Sequence, residues 1–171
     1  IGAVASMIHP LSAVSEIIYY LKEVKSDYLL TLDQFYSKVA EVEKTYPVKK
    51  VIITSAADEL GAVKSAAFKL MNAKKNKVNK ADAIFWKDFI GNGKKVDLAK
   101  YIVHMPANET AVILFSGGTT GVTKGIQLSG MNFNALGLQT AAMCNSVVRH
   151  ARMLAAMPIF HGFGLGVCIH S

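Results

Sequence analysis

Apolar side chains recur at helical spacing through Ser12–Val24, where Val14, Ile17, Ile18, Leu21 and Val24 form one stripe. Ser12 is the expected N-cap, with Ser15 and Glu16 in the first turn. Tyr28-Leu29-Leu30 reads as a short buried strand. Helical spacing returns over Asp33–Lys44 through Phe35, Val39 and Val42, and Pro47, which has no amide hydrogen to donate, ends it. Val51-Ile52-Ile53 is β-branched throughout and predicts a strand. Asp58–Met71, rich in Ala and Lys, predicts a helix, and a Lys/Asn loop follows to Lys80. Ala83–Ile90 predicts a helical turn docking Phe85, Trp86 and Phe89, broken by Gly91-Asn92-Gly93. Beyond it, Ala111–Phe115 is the clearest strand and Gly125–Leu128 a shorter one. Met131–Val148 predicts a long helix, and Met153–Ala156 a last strand.

Helices and strands alternate through most of the chain, which argues an α/β fold. Val51–Ile53, Ala111–Phe115 and Met153–Ala156 are expected to share one largely parallel sheet flanked by helices. A length of 171 residues fits one domain or a large part of one. Apolar residues make up 51% and mean hydropathy is +0.30, as expected for strands covered on both faces. No uninterrupted apolar run reaches the roughly 18 residues of a membrane span. The opening Ile1-Gly2-Ala3-Val4 lacks a Met and a charged leader, and Cys168-Ile169-His170-Ser171 stops within apolar sequence. Both ends are expected to be interior to a longer chain, not the edge of a signal peptide.

Nineteen Lys plus Arg against twelve Asp plus Glu leave a charge of +7, concentrated in Lys74, Lys75, Lys77, Lys80, Lys94, Lys95 and Lys100. A nucleic-acid stripe is one meaning of such a run. No aromatic residue within Lys74–Lys80 is available to stack on bases, so a solvated surface loop is preferred and no nucleic-acid partner is expected. The charge still attracts polyanions such as nucleotides. Cys144 and Cys168 fit no metal or redox spacing and are expected as buried free thiols in a reducing cytosol.

The chemistry is concentrated where Ala111–Phe115 runs into Ser116-Gly117-Gly118-Thr119-Thr120-Gly121-Val122-Thr123-Lys124-Gly125. Glycines let the backbone turn and bring its amides close to a ligand. Consecutive turn amides make an anion-binding concavity. Ser116, Thr119 and Thr120 add hydroxyl donors and Lys124 a mobile cation, a set suited to a triphosphate. It is not a Walker A loop, which counted from Gly118 needs Gly at 123 and Ser or Thr at 125, where Thr123 and Gly125 stand. Gly162, Gly164 and Gly166 miss the last glycine of a dinucleotide fingerprint by one position. On composition alone, a flexible Gly/Thr turn between two strands is an equal alternative.

Phe115–Gly125 closely resembles the signature of the adenylate-forming superfamily: acyl-CoA synthetases, luciferases and nonribosomal-peptide adenylation domains. The usual form is aromatic-Thr-Ser-Gly-Thr-Thr-Gly-x-Pro-Lys-Gly; here Gly117 replaces Ser and Thr123 replaces Pro. Ala156-Met157-Pro158-Ile159-Phe160-His161-Gly162-Phe163-Gly164 resembles the family's next signature, Leu-Pro-Leu-Phe-His followed by Gly. Upstream, Gly2-Ala3-Val4 through His9-Pro10-Leu11 into Ser12–Val24 resembles the family's passage from a strand through a Pro into an amphipathic helix. The resemblance covers nearly the whole chain. Position 130, often His in the family, is Gly.

The resemblance implies that residues 1–171 are part of the large N-terminal AMP-binding domain, with a phosphate loop at 115–125 and an acyl-pocket motif at 156–164. It implies ATP phosphate binding by Ser116, Gly117, Gly118, Thr119, Thr120, Gly121, Lys124 and Gly125. Thr119 or Thr120 is then a partial magnesium ligand, and Phe160, His161 and Gly162 are contacts of the carboxylic acid. No complete catalytic set is implied, nor proton transfer by His161. The substrates of the parent enzyme would be ATP with Mg, a carboxylic and in particular a fatty acid, and CoA, in the cytoplasm or peripheral to a membrane. The family's adenine and ribose segments, the carboxylate completing its magnesium site and its small lysine-bearing domain lie downstream of the matched stretch. The chain alone is therefore expected to be inactive, and to self-associate through an apolar patch or open strand edge. A carrier-protein thiol as acceptor, and a non-catalytic nucleotide- or RNA-binding module, are the alternatives.

Overall fold

The β-branched run Val51-Ile52-Ile53 forms the most buried strand of the chain, which fits its place at the centre of a sheet. The computed structural model describes residues 2–72, 78, 83–117, 123–144 and 152–171. In chain order the strands are β1 (Ala5–Met7), β2 (Tyr28–Leu32), β3 (Lys50–Thr54), β4 (Ala83–Phe85), β5 (Thr110–Ser116) and β6 (Lys124–Ser129). The helices are α1 (Val14–Val24), α2 (Tyr36–Glu43), α3 (Ala62–Asn72), α4 (Trp86–Gly93) and α5 (Gly130–Met143). They fall into two compact units, Pro10–Leu98 and Ile1–His9 with Ala99–Ser171. The fold is α/β, with largely parallel strands flanked by helices. Instead of one sheet, however, the described residues form two of three strands each, ordered β2-β3-β4 and β1-β5-β6.

In the Pro10–Leu98 unit all strands are parallel. Tyr36, Val39, Val51 and Ile53 form its core, with Leu29, Ala40, Val48, Val78, Ala83 and Phe85 packed around them. The stripe predicted for α1 is present, with Ile17 and Leu21 buried and Val14, Ile18 and Val24 half-buried, and Tyr20, outside the predicted stripe, is buried beside it. Its N-cap is Ala13, one residue later than the expected Ser12, because the Glu16 carboxylate accepts the Ala13 N–H at 2.9 Å and substitutes for a capping hydroxyl. Lys38 Nζ donates to the carbonyls of Pro10 (3.2 Å) and Ser12 (2.8 Å), fixing the chain as it enters α1. Asp27 holds the Lys49 ammonium above its usual pKa, first by a 2.9 Å hydrogen bond and then by charge.

Several expected elements differ. β2 is a strand but only half-buried: Tyr28 and Leu30, on one face of the pleat, are 62% and 55% exposed. The Asp58–Met71 helix is split. Ser55 caps a 3₁₀ turn at Ala56–Glu59 through its bond from the Ala57 N–H, and α3 starts only after Gly61. Ala83-Ile84-Phe85 is the third strand of the sheet and not a helical turn, since pairing with β3 overrides the local pattern. Gly91-Asn92-Gly93 does not break α4, which runs to Gly93 with the Lys94 N–H bonded back to Ile90. The expected Lys/Asn loop falls mainly on residues outside those described.

α1 ends at Lys25, which takes the left-handed conformation at φ +51°, ψ +49° while the Ser26 N–H reaches back to the Leu21 carbonyl at 3.0 Å. Such a cap ordinarily uses Gly because a Cβ is strained there. Lys25→Gly is expected to raise the stability of the chain by about 0.5–1 kcal/mol, read as a higher urea midpoint at unchanged slope.

In the other unit β5 is central, parallel to β1 and antiparallel to β6. Ser129 caps α5: its hydroxyl accepts the Asn132 N–H, and Asn132 Oδ1 accepts the Ser129 N–H at 2.8 Å. α5 ends at Met143, short of the expected Val148, where Cys144 turns extended; residues 145–151 lie outside those described. Met153–Ala156 is not a strand. Its Ala156 N–H bonds to the Leu154 carbonyl two residues back, a tight turn incompatible with a ladder, and Leu154 is 86% exposed. Cys144 is exposed and Cys168 half-buried, so neither is the buried thiol expected, though both are free. Among the described residues no helix is long and apolar enough to cross a membrane.

Candidate functional site

The two ends of the stretch expected as a phosphate loop lie on paired antiparallel strands. The last register pair of β5 and β6 is Ser116 opposite Lys124, preceded by Phe115 opposite Gly125. Antiparallel pairing places such opposed Cα atoms about 4.5–5.5 Å apart. The sheet therefore brings a hydroxyl and an ammonium, eight positions apart in sequence, to the two sides of one loop mouth. Lys124 is exposed and is the first residue of β6, not the loop residue expected. Gly125 has a packing reason: a Cβ there would lie 3.2 Å from Ile113 Cγ2 and 3.4 Å from Phe115 Cε1. Among the described residues none would lie within 4 Å of a Cβ on Gly117. Gly118, Thr119, Thr120 and Gly121 lie outside the described residues.

The second motif folds into a turn over the same strand. The His161 N–H bonds to the Pro158 carbonyl at 3.0 Å, closing Pro158–His161, and Phe163–His170 continues as a wide π-type helix. Such helices are rare and recur at functional sites. A Cβ on Gly162 would meet Leu114 Cδ1 of β5 at 3.5 Å, so the turn rests against that strand near its carboxyl end. His161 is exposed, and its Nδ1 accepts the Phe163 N–H at 3.3 Å. A neutral ring with Nδ1 accepting carries its proton on Nε2. Phe160 is half-buried, its ring centroid 4.3 Å from that of His9 at an interplanar angle of 58°.

One further residue shapes the turn. Gly164 packs onto the turn itself: a Cβ there would fall 2.1 Å from the Pro158 carbonyl oxygen and 2.8 Å from that of Met157. In the sequence Gly164 closes the Ala156–Gly164 motif and belongs to the Gly162, Gly164 and Gly166 series, and neither pattern announces this packing. Gly164→Ala is expected to destabilise the chain by about 1–3 kcal/mol, because backbone must move to admit the methyl group. Gly162→Ala, at αR φ −54° with only ordinary contacts, is expected to stay within about 0.5 kcal/mol of wild type; urea unfolding of the two variants checks the contrast. Gly130 is the first residue of α5, with room for a side chain.

The carboxyl end of β5 thus carries both signatures. In open α/β sheets that end of the parallel strands is where ligands bind. Among the described residues no group of three or more His, Cys, Asp or Glu could hold a metal ion.

The sequence model of the family described as "AMP-binding enzyme" matches residues 1–171, and the chain belongs to that family of adenylate-forming enzymes. It is 28% identical over 167 residues to the long-chain-fatty-acid–CoA ligase of Bacillus subtilis, covering 96% of this chain and 30% of that protein. It is 28% identical over 174 residues to "Probable 4-coumarate--CoA ligase 3" of Dictyostelium discoideum, covering 96% of this chain and 28% of that protein. The red-emitting luciferase of Phrixothrix hirtus superposes on 95% of this chain and 28% of its own, with a TM-score of 0.67 at 20% identity, and shares the fold. The chain spans less than a third of the length of the curated relatives it matches.

Proposed function

We propose that residues 1–171 are the phosphate-loop and acid-pocket part of the N-terminal domain of an acid–CoA ligase, with the loop at 115–125 and the pocket motif at 156–164. The observation that supports it is the hairpin mouth at Ser116 and Lys124 on the strand against which the His161 turn rests. The parent joins a carboxylate oxygen of the acid to the α-phosphorus of ATP. The bond to the β-phosphate breaks, and pyrophosphate leaves with the electron pair. The CoA sulfur then attacks the acyl carbon, and AMP departs as the thioester forms and the thiol proton is released.

In this reading the amides of Gly117, Gly118 and Gly121 and the hydroxyls of Ser116, Thr119 and Thr120 bind the phosphates together with Gly125. Lys124 offsets charge developing on pyrophosphate. Hydroxyl oxygen is a donor that Mg²⁺ accepts, and Mg²⁺ takes most of its remaining ligands from phosphate and water, so one oxygen from Thr119 or Thr120 fits it. The bound ion supplies charge neutralisation at the phosphates. Phe160 and Gly162 wall the acid, and His161 donates from Nε2 to its carboxylate.

A fatty acid is the favoured substrate, on the Bacillus subtilis similarity. A cytoplasmic setting and self-association of the isolated chain belong to the same reading. The latter is supported by Leu138, Met143 and Leu154, which are largely exposed. Incubation of the full-length protein with ATP, Mg²⁺, CoA and a panel of acids tests it. Acyl-CoA, AMP and pyrophosphate in equal amounts are expected. An adenylate that forms but passes only to a carrier-protein thiol would replace CoA as acceptor.

A further inference from the structure

The motif that carries Phe160 and His161 is not held by its own turn alone. His9, two residues past the end of β1, lays its ring on Phe160 at 4.3 Å between centroids. β1 runs parallel to β5 with Met7 level with Leu114. His9 follows Met7 by two residues, as Ser116 follows Leu114 by two, so His9 leaves the sheet at the same end as the phosphate loop. A tilted aromatic pair of this kind fixes ring orientation and does more than fill space. Phe160 and His161 are neighbours in the turn that the His161 N–H closes on the Pro158 carbonyl, so a contact that holds Phe160 in place anchors the same turn that carries His161.

We infer that His9 is a positioning residue for the carboxylic acid substrate, acting through its ring contact with Phe160 to hold the Phe160–His161 wall of the acid pocket. The inference rests on the acid–ligase reading of that site. It separates two substrates that share one centre: the brace serves the acid side, while the loop at Ser116–Lys124 serves ATP. A merely structural His9 would affect both.

The test is steady-state acid-dependent pyrophosphate exchange with the full-length protein, comparing wild type, His9→Ala, His9→Leu and His9→Phe. His9→Ala and His9→Leu, which lack a ring, are expected to raise KM for the acid roughly fivefold and leave KM for ATP within about twofold of wild type. His9→Phe restores the ring pair and is expected to return KM for the acid to near wild type. His9→Leu keeps apolar bulk, so it preserves the comparison if His9→Ala does not fold. Unchanged KM for the acid in the ringless variants overturns the inference. So does equal impairment in His9→Phe and His9→Leu, or a parallel rise of both KM values with a lowered melting temperature. Those outcomes, seen with an active wild type, leave the ligase reading standing. A wild type without acid-dependent exchange overturns the ligase reading and the role of His9 together.

Discussion

Lys124→Ala in the full-length protein is expected to slow adenylation by about 100- to 1000-fold while leaving the fold intact. Removing a preorganised charge contact to a developing anion costs on the order of 3–4 kcal/mol in the transition state. Lys124 is exposed, at the first position of an edge strand, and no ion pair of its ammonium stands among the described contacts. A surface substitution of this kind changes stability by only about 0.5 kcal/mol. Rate and melting temperature therefore separate the two roles. A collapsed melting temperature at an unchanged rate would reverse the assignment of Lys124 from phosphate binding to structure. Lys124→Arg keeps the charge but widens the head group, and is expected to fall between wild type and alanine.

The larger effect is expected from the 171 residues by themselves, which should make no acyl-CoA. The curated relatives use more than three times this length, and the family resemblance places the adenine site and the lysine-bearing domain downstream of the matched stretch. On the proposed reading the chain holds a phosphate loop and one wall of an acid pocket, which orient two reactants only partly. Most of the advantage of holding them in line is lost when one end of the nucleotide is free. Incubation of the chain with ATP, Mg²⁺, CoA and fatty acids should give thioester at the rate of a protein-free control. Sustained formation above that control would mean that these residues hold a complete site.

Much of the fold was legible because its strongest signals are local. The run at 51–53 is buried and the run at 111–115 half-buried on both faces, and neither carries a polar position that interrupts the strand. The stripe of α1 is real because five apolar positions recur at one helical period. What failed was set by partners distant in sequence. Ala83–Phe85 is a strand only because β3 offers it a ladder. Met153–Ala156 has strand composition but pairs with nothing among the described residues. The division into two sheets was invisible too, since strand order depends on which edges meet, and periodicity does not encode that. The family resemblance singled out Ser116, Lys124 and His161 as candidates, and the structure adds the register of the first two and the turn that holds the third. The contact between His9 and Phe160 joins residues 151 positions apart, and no pattern along the chain announces it.

The most direct measurement is ATP–pyrophosphate exchange by the full-length protein, with labelled pyrophosphate, Mg²⁺ and a panel of carboxylic acids in the absence of CoA. Label should enter ATP only when an acid is present, and the Lys124→Ala protein should exchange about 100-fold more slowly or worse. Exchange that ignores the acid, or no exchange from a folded protein with any acid, would contradict adenylation at this site.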